Sequence, residues 1–189
     1  MKNIIKYLLP ILIAIGLILF IEPIVNDKKE QEQYNFKVQS LKGDVAKDDF
    51  KGKVLAVYFG YMYCPDVCPT SLSSLAFALA DFSEEQLKDF RGIFISVDPE
   101  RDGFEQLDEY ARYFHPTFIG ATSNKENIDD ITKRYDSYYE KIYLDASAMD
   151  YSVSHTSYIY IFDKNGKFIK KVDHFTNPNE LKEVLKQLL

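Results

Sequence analysis

Cysteine and histidine are scarce in this chain: of 189 residues, two are cysteine and three are histidine. Any disulfide, thiolate metal site or redox pair must therefore be built from Cys64 and Cys68, which stand four apart in Gly60-Tyr-Met-Tyr-Cys-Pro-Asp-Val-Cys-Pro-Thr70. A histidine that joins them must be His115, His155 or His174. Basic clusters are missing and the formal net charge is -6, which argues against nucleic acid as a partner because phosphate binding needs concentrated Lys and Arg. There is no internal repeat, and no low-complexity tract beyond one apolar run at the amino end. What the chain does have is 46% hydrophobic and 15% aromatic residues, enough to bury one full core.

From Ile4 to Val25 nearly every residue is apolar, with Lys6 near one end and Glu22 near the other; the uncharged centre is Tyr7 to Ile21. Those fifteen residues would cover about 22 Å as a helix, against a hydrocarbon layer of about 30 Å. The whole run reaches about 33 Å if Lys6 and Glu22 snorkel to the interfaces, so spanning is feasible. A cleaved signal peptide is the competing reading. The run is not followed by a small-x-small cleavage site, and Ile21-Glu-Pro-Ile-Val25 is bulky, which favours an uncleaved anchor. The expected organisation is a transmembrane helix over residues 1–25, a polar tether over 26–34 and one domain over 35–189. Lys2 and Lys6 put the amino side in the cytoplasm and the domain on the outer, periplasmic face of the cytoplasmic membrane. A free cysteine pair there must be protected, metallated or kept reduced by a partner protein.

In the body, Phe36 to Gln39 starts a first strand, and turns follow over 41–45 and 50–53. Val54-Leu-Ala-Val-Tyr-Phe59 is a continuous apolar, β-rich run, the pattern of a strand buried on both faces. Pro69 suits the first position of a helix, which makes Cys68 the expected N-cap of a helix running to about Asp81. Cys68, with Cys64 one loop turn earlier, then lies by the positive end of the helix dipole, which favours thiolate. Further helices are expected over 84–90, 104–114 and 128–135, and further strands over 92–97 and at 118–119. Ser157-Tyr-Ile-Tyr-Ile-Phe162, Asn165-Gly166 and Lys167 to Val172 make a hairpin, and Asn177-Pro178 opens a last helix. Such alternation means an α/β fold with a mostly parallel sheet, and the order of elements is thioredoxin-like.

Three residues separate the cysteines where a redox motif usually has two. A disulfide remains feasible if the loop brings the β carbons within about 4 Å. The wider gap also lets the pair grip an ion, and thiolates select monovalent copper or zinc. Zinc would need a fourth strong ligand, and none is evident. In a thioredoxin-like fold the loop entering the strand at 157 lies against the cysteine loop, and Ser154-His-Thr156 lacks the proline that thioredoxins place there. His155 is therefore the expected third ligand. His115, before Pro116 at a helix end, reads as structural, and His174 as surface.

The chain resembles the Sco/SenC family. The matching pieces are Tyr58-Phe-Gly60, Cys64-Pro-Asp-Val-Cys-Pro69, Ile95-Ser-Val-Asp-Pro-Glu-Arg-Asp102, Phe118-Ile-Gly-Ala-Thr122, and His155-Thr with Tyr160-Ile-Phe-Asp-Lys-Asn-Gly166. The resemblance implies a membrane-anchored copper chaperone that holds copper through Cys64, Cys68 and His155. Its partner would be the subunit of cytochrome c oxidase that bears the binuclear copper site, CuA. A second role is implied as well, a thiol-disulfide oxidoreductase that reduces the cysteines of that site and draws on a thiol reductant protein. This chain departs from the family pattern in having Ser154 where many members have Asp, and Tyr63 where a polar residue is common. Met62 is either an auxiliary soft ligand or, more in keeping with its place beside a buried strand, packing. Asp98, Arg101 and Asp102 read mainly as a turn, with Asp102 capping the next helix and partner docking as the minor reading. Tyr135, Tyr138, Tyr139, Tyr143 and Tyr151 suit either an interface or paired strands.

Overall fold

The computed structural model describes residues 2–144 and 149–189, without the side chains of residues 2–15 and 18. Two compact units are present, the first ending at Gln33 and the second spanning Tyr34–Leu189. The first is one helix, α1 (Lys2–Gln33), which runs on through the polar stretch 26–33, so the expected tether is helical. Its solvated end carries an Asp27–Gln31 side-chain hydrogen bond of 3.0 Å. Among the described residues no helix is long and apolar enough to cross a membrane. The expected anchor falls largely on side chains outside that set.

The second unit holds nine strands, five α-helices and one 3-10 turn (Lys47–Phe50) among its described residues. The strands are β1 (Lys37–Ser40), β2 (Gly43–Ala46), β3 (Val54–Gly60), β4 (Phe90–Ser96), β5 (Phe118–Thr122), β6 (Tyr139–Tyr143), β7 (Tyr151–His155), β8 (Tyr158–Phe162) and β9 (Phe168–Asp173). The helices are α2 (Val67–Leu79), α3 (Glu84–Lys88), α4 (Phe104–Phe114), α5 (Lys125–Arg134) and α6 (Pro178–Lys186). Seven strands form one sheet in the order β2-β1-β5-β4-β3-β8-β9, and β6 and β7 form a separate hairpin.

Every residue of β3 is buried, as its unbroken apolar run requires for a strand covered on both faces. The expected carboxyl-terminal antiparallel hairpin is present, but the sheet as a whole is mixed, which corrects the expectation of a mostly parallel one. Only β3–β4 and β4–β5 pair in parallel; the hairpins β1–β2 and β8–β9 add antiparallel strands at the two ends. Alternation of strands and helices reports βα units, and it is blind to a short amino-terminal hairpin that returns to the edge strand β5. Three strands, β2, β6 and β7, were not assigned from the sequence. Strand β2 is short and polar, and Gly43 opens it at φ +114°, a conformation that favours glycine. In β7, Tyr151 and Val153 point inward between two serines, so a true period of two reads as a polar loop.

In the parallel register Gly60 lies opposite Ser96, so β3 and β4 end side by side. The loops that leave these two ends carry the cysteines and the acidic turn 98–102, at the carboxyl edge of the sheet where open α/β folds place their sites.

Candidate metal centre

After Gly60 the chain leaves the sheet and enters α2 at Val67, with Asp66 as the N-cap. Cys68 is thus the second residue of the helix and not its cap, and Pro69 is the third. Proline is tolerated there because no N–H of the first turn has an intrahelical partner, so its place within that turn cannot be told from sequence. The packing around Cys68 is tight. A Cβ on Gly60 would stand 2.6 Å from Cys68 Sγ and 2.9 Å from the Phe94 ring, so only glycine lets the strand pass this sulfur. Cys68 is fully buried, while Cys64 in the loop is half-buried, and both are free thiols. The Cys68 N–H donates to Cys64 Sγ at 3.4 Å.

His155 closes β7 and faces this pair, with Nε2 3.2 Å from Cys68 Sγ. Its Nδ1 lies 3.0 Å from the Thr156 carbonyl oxygen. A carbonyl can only accept, so Nδ1 is the donor and Nε2 is the nitrogen free to offer a lone pair toward the sulfurs. Tyr58 and Tyr61 meet the imidazole edge-on, with centroids at 6.3 and 5.7 Å, and fix its plane.

The two thiols titrate in opposite directions. Hydrogen bonding from Cys68 holds Cys64 down at about 3; His155 and the Cys68 and Asp66 backbones add to this, against a burial effect that raises it. Burial pushes Cys68 well above the ordinary thiol range, and the hydrogen bond and charge of Cys64 push the same way. The helix start therefore serves Cys64 more than Cys68, the reverse of the emphasis expected from sequence, because Cys68 has no solvent to support a charge.

One ligand atom from each of Cys64, Cys68 and His155 lies within 4.8 Å of the others, a span one ion can bridge at bonds of about 2.0–2.3 Å. Two sulfurs and an imidazole nitrogen form a soft set, and no fourth Cys, His, Asp or Glu joins the group among the described residues. The donors therefore fit a soft ion of low coordination number better than tetrahedral zinc. Met62 packs against the core. His115 bonds Thr117 Oγ1 through Nδ1 at 2.8 Å, and His174 pairs with Asp173 and lies against Phe175; both are remote from the group. The tyrosines divide: Tyr135 and Tyr151 are buried, Tyr139 is half-buried, and Tyr138 and Tyr143 are exposed.

The turn after β4 does more than cap a helix. Gly103, and not Asp102, is the N-cap of α4. Asp102 is buried, which raises its carboxyl above the usual range, and its Oδ2 accepts from Ser96 Oγ at 2.5 Å and from the Met62 N–H at 3.0 Å. Asp98, also buried, accepts from Arg101 Nε at 2.5 Å and from Tyr151 Oη at 2.8 Å. Asp and Arg clustered after a buried strand were the only signal of this in the sequence, and the same residue types serve ordinary turns.

Residues 25–189 match the SCO1/SenC family. The chain belongs to that family. It is 34% identical over 153 residues to an SCO2-like protein of Rickettsia conorii, covering 80% of this chain and 74% of that one. Among solved structures it is similar to Arabidopsis thaliana ScoI with copper bound, at 35% identity and a TM-score of 0.73, covering 81% of this chain and 95% of that one. It is also similar to Bradyrhizobium japonicum ScoI with copper bound, at 33% identity and a TM-score of 0.69, covering 82% of this chain and 98% of that one. These likenesses agree with a Sco-type thioredoxin-like fold.

Proposed function

We propose that Cys64, Cys68 and His155 hold a copper ion as cargo, and that the chain is a membrane-anchored carrier supplying copper to the CuA-bearing subunit of cytochrome c oxidase. The observation that carries this reading is the convergence of two thiols and an imidazole nitrogen within 4.8 Å from positions far apart in the chain. Copper-bound relatives with the same fold support it. Two sulfurs and one nitrogen satisfy monovalent copper without a further ligand. Cys64 and His155 are both half-buried, so an incoming ligand reaches either of them before the fully buried Cys68. Ligand exchange then starts at Cys64 or His155, and Cys68 lets go last. The apolar stretch of α1 would tether the domain to the outer face of the cytoplasmic membrane.

Titration of the reduced full-length chain with Cu(I) under a competing chelator tests the site. One copper per chain is expected, with His155→Ala weakening binding by about tenfold or more. Stoichiometric binding that His155→Ala leaves unchanged would sink the three-donor site.

A second reading rests on the unequal thiols. Cys64, ionised and half-buried, attacks a target disulfide and forms a mixed disulfide as one target thiolate departs. Cys68 then gives up its proton and displaces the second target sulfur, leaving a Cys64–Cys68 disulfide and a target that has gained two electrons. A thiol reductant protein returns those electrons. Reduction of a CuA-site disulfide by the metal-free chain would favour this role; tight copper binding without such reduction favours the carrier.

A further inference from the structure

The histidine that completes the site stands on a hairpin that pairs with no strand of the main sheet among the described residues. The backbone ties β7 to the sheet only at its His155 end, through the two-residue link into β8 beside β3, so something else must hold the Tyr151 end. At the start of β7, Arg101 Nη1 donates to the carbonyl oxygens of Tyr151 at 2.9 Å and Met149 at 3.3 Å, while Nε donates to Asp98. The guanidinium also lies between two rings, 3.7 Å from the centroid of Tyr151 and 5.1 Å from that of Tyr63. Tyr63 is the residue before Cys64, and Tyr151 begins the strand that ends in His155. The same turn holds the cysteine loop a second time through Asp102 and the Met62 N–H. It holds the hairpin a second time through an ion pair of 2.7 Å between Glu100 and Lys141.

We propose that Arg101 is a positioning residue: its planar fork, clamped on Asp98 and the Tyr151 carbonyl and packed between Tyr63 and Tyr151, sets the histidine strand against the cysteine loop. The inference rests on the proposed copper site for its purpose and on hydrogen bonds and ring contacts for its geometry. A lysine would keep a positive charge beside Asp98 and lose the second bond and both stacked faces. Full removal of Arg101 would leave a buried carboxylate without its partner and confuse positioning with folding. Two variants avoid that, Arg101→Lys and the uncharged pair Asp98→Asn with Arg101→Met.

The test uses the full-length chain. In the metal-free state, amide hydrogen exchange at residues 151–155 is expected to quicken by about tenfold or more in both variants while the protection of β3 and β4 is kept. With copper added, affinity is expected to fall by about tenfold to a hundredfold, and the absorption and electron paramagnetic resonance spectra of the Cu(II) form to move toward those of His155→Ala. Unchanged exchange at 151–155 in both variants would overturn the proposal. So would exchange that quickens equally across the domain, or full recovery by lysine. A wild-type chain that binds no copper would overturn the carrier reading instead, and the exchange measurement would still decide the role of Arg101.

Discussion

The two halves of the site are made in different ways. The cysteine half is built into the fold: β3 is buried throughout, Gly60 passes within contact of Cys68 Sγ, and Cys68 sits in the first turn of α2. The histidine half is attached to it: β6 and β7 pair only with each other among the described residues, and side chains of the turn after β4 tie them down. A site made this way can keep its sulfurs fixed while its nitrogen donor depends on a few polar contacts. Stability and ligation should therefore respond differently to changes on the two sides.

The change expected to cost most is Asp98→Ala, which strands the largely buried Arg101 guanidinium and the Tyr151 hydroxyl together. A loss of about 3 kcal/mol is expected by chemical denaturation. A loss under about 1 kcal/mol would show that the hairpin does not depend on this pair. Gly60→Ala probes the opposite half: the added carbon meets a sulfur and a ring inside 3 Å, and overpacking there should cost about 2 kcal/mol. A neutral result would mean that the cysteine half yields more readily than its burial implies. The mildest probe leaves the fold untouched. Iodoacetamide at about pH 5, more than a unit above where Cys64 titrates, should label Cys64 and spare Cys68, as read by peptide mass. Equal labelling would erase the division of roles between the thiols. The linkage has a definite sign. A thiol held at about 3 when folded adds stability that is full above its ordinary unfolded range and is lost as the pH falls toward 3, and Cys64→Ser should flatten that slope.

Much of this was legible from sequence where one strong physical signal acts alone. Val54 to Phe59 could only be a strand covered on both faces, and the apolar spacing of Phe104 to Phe114 marks α4 at its observed bounds. The three residues that meet at the carboxyl edge were also readable, because two cysteines and a few histidines leave few combinations. Harder features are those in which residue type underdetermines the partner. Ser152 and Ser154 disguised β7 as a loop, although Tyr151 and Val153 were in register. Asp102 has the composition of a helix cap, yet its carboxylate turns back to Met62 N–H, forty residues away, a contact no local pattern encodes. The direction of β1 was likewise hidden, since its partner β5 lies far along the chain, whereas Asn165-Gly166 announced the antiparallel β8–β9 pair.

The tie at Tyr151 lies four residues from His155 along an extended strand, a separation of about 13 Å at 3.3 Å per residue. β7 is thus held at both ends, by the guanidinium at Tyr151 and, just beyond the imidazole, by the two-residue link into β8. Losing the first of these ties lets the strand twist, and a shift of the ring by roughly 1 Å is several times the tolerance of about 0.2 Å within which a donor still coordinates. A change that loosens the hairpin would thus act on the imidazole of the proposed site and leave the sulfur pair where it was.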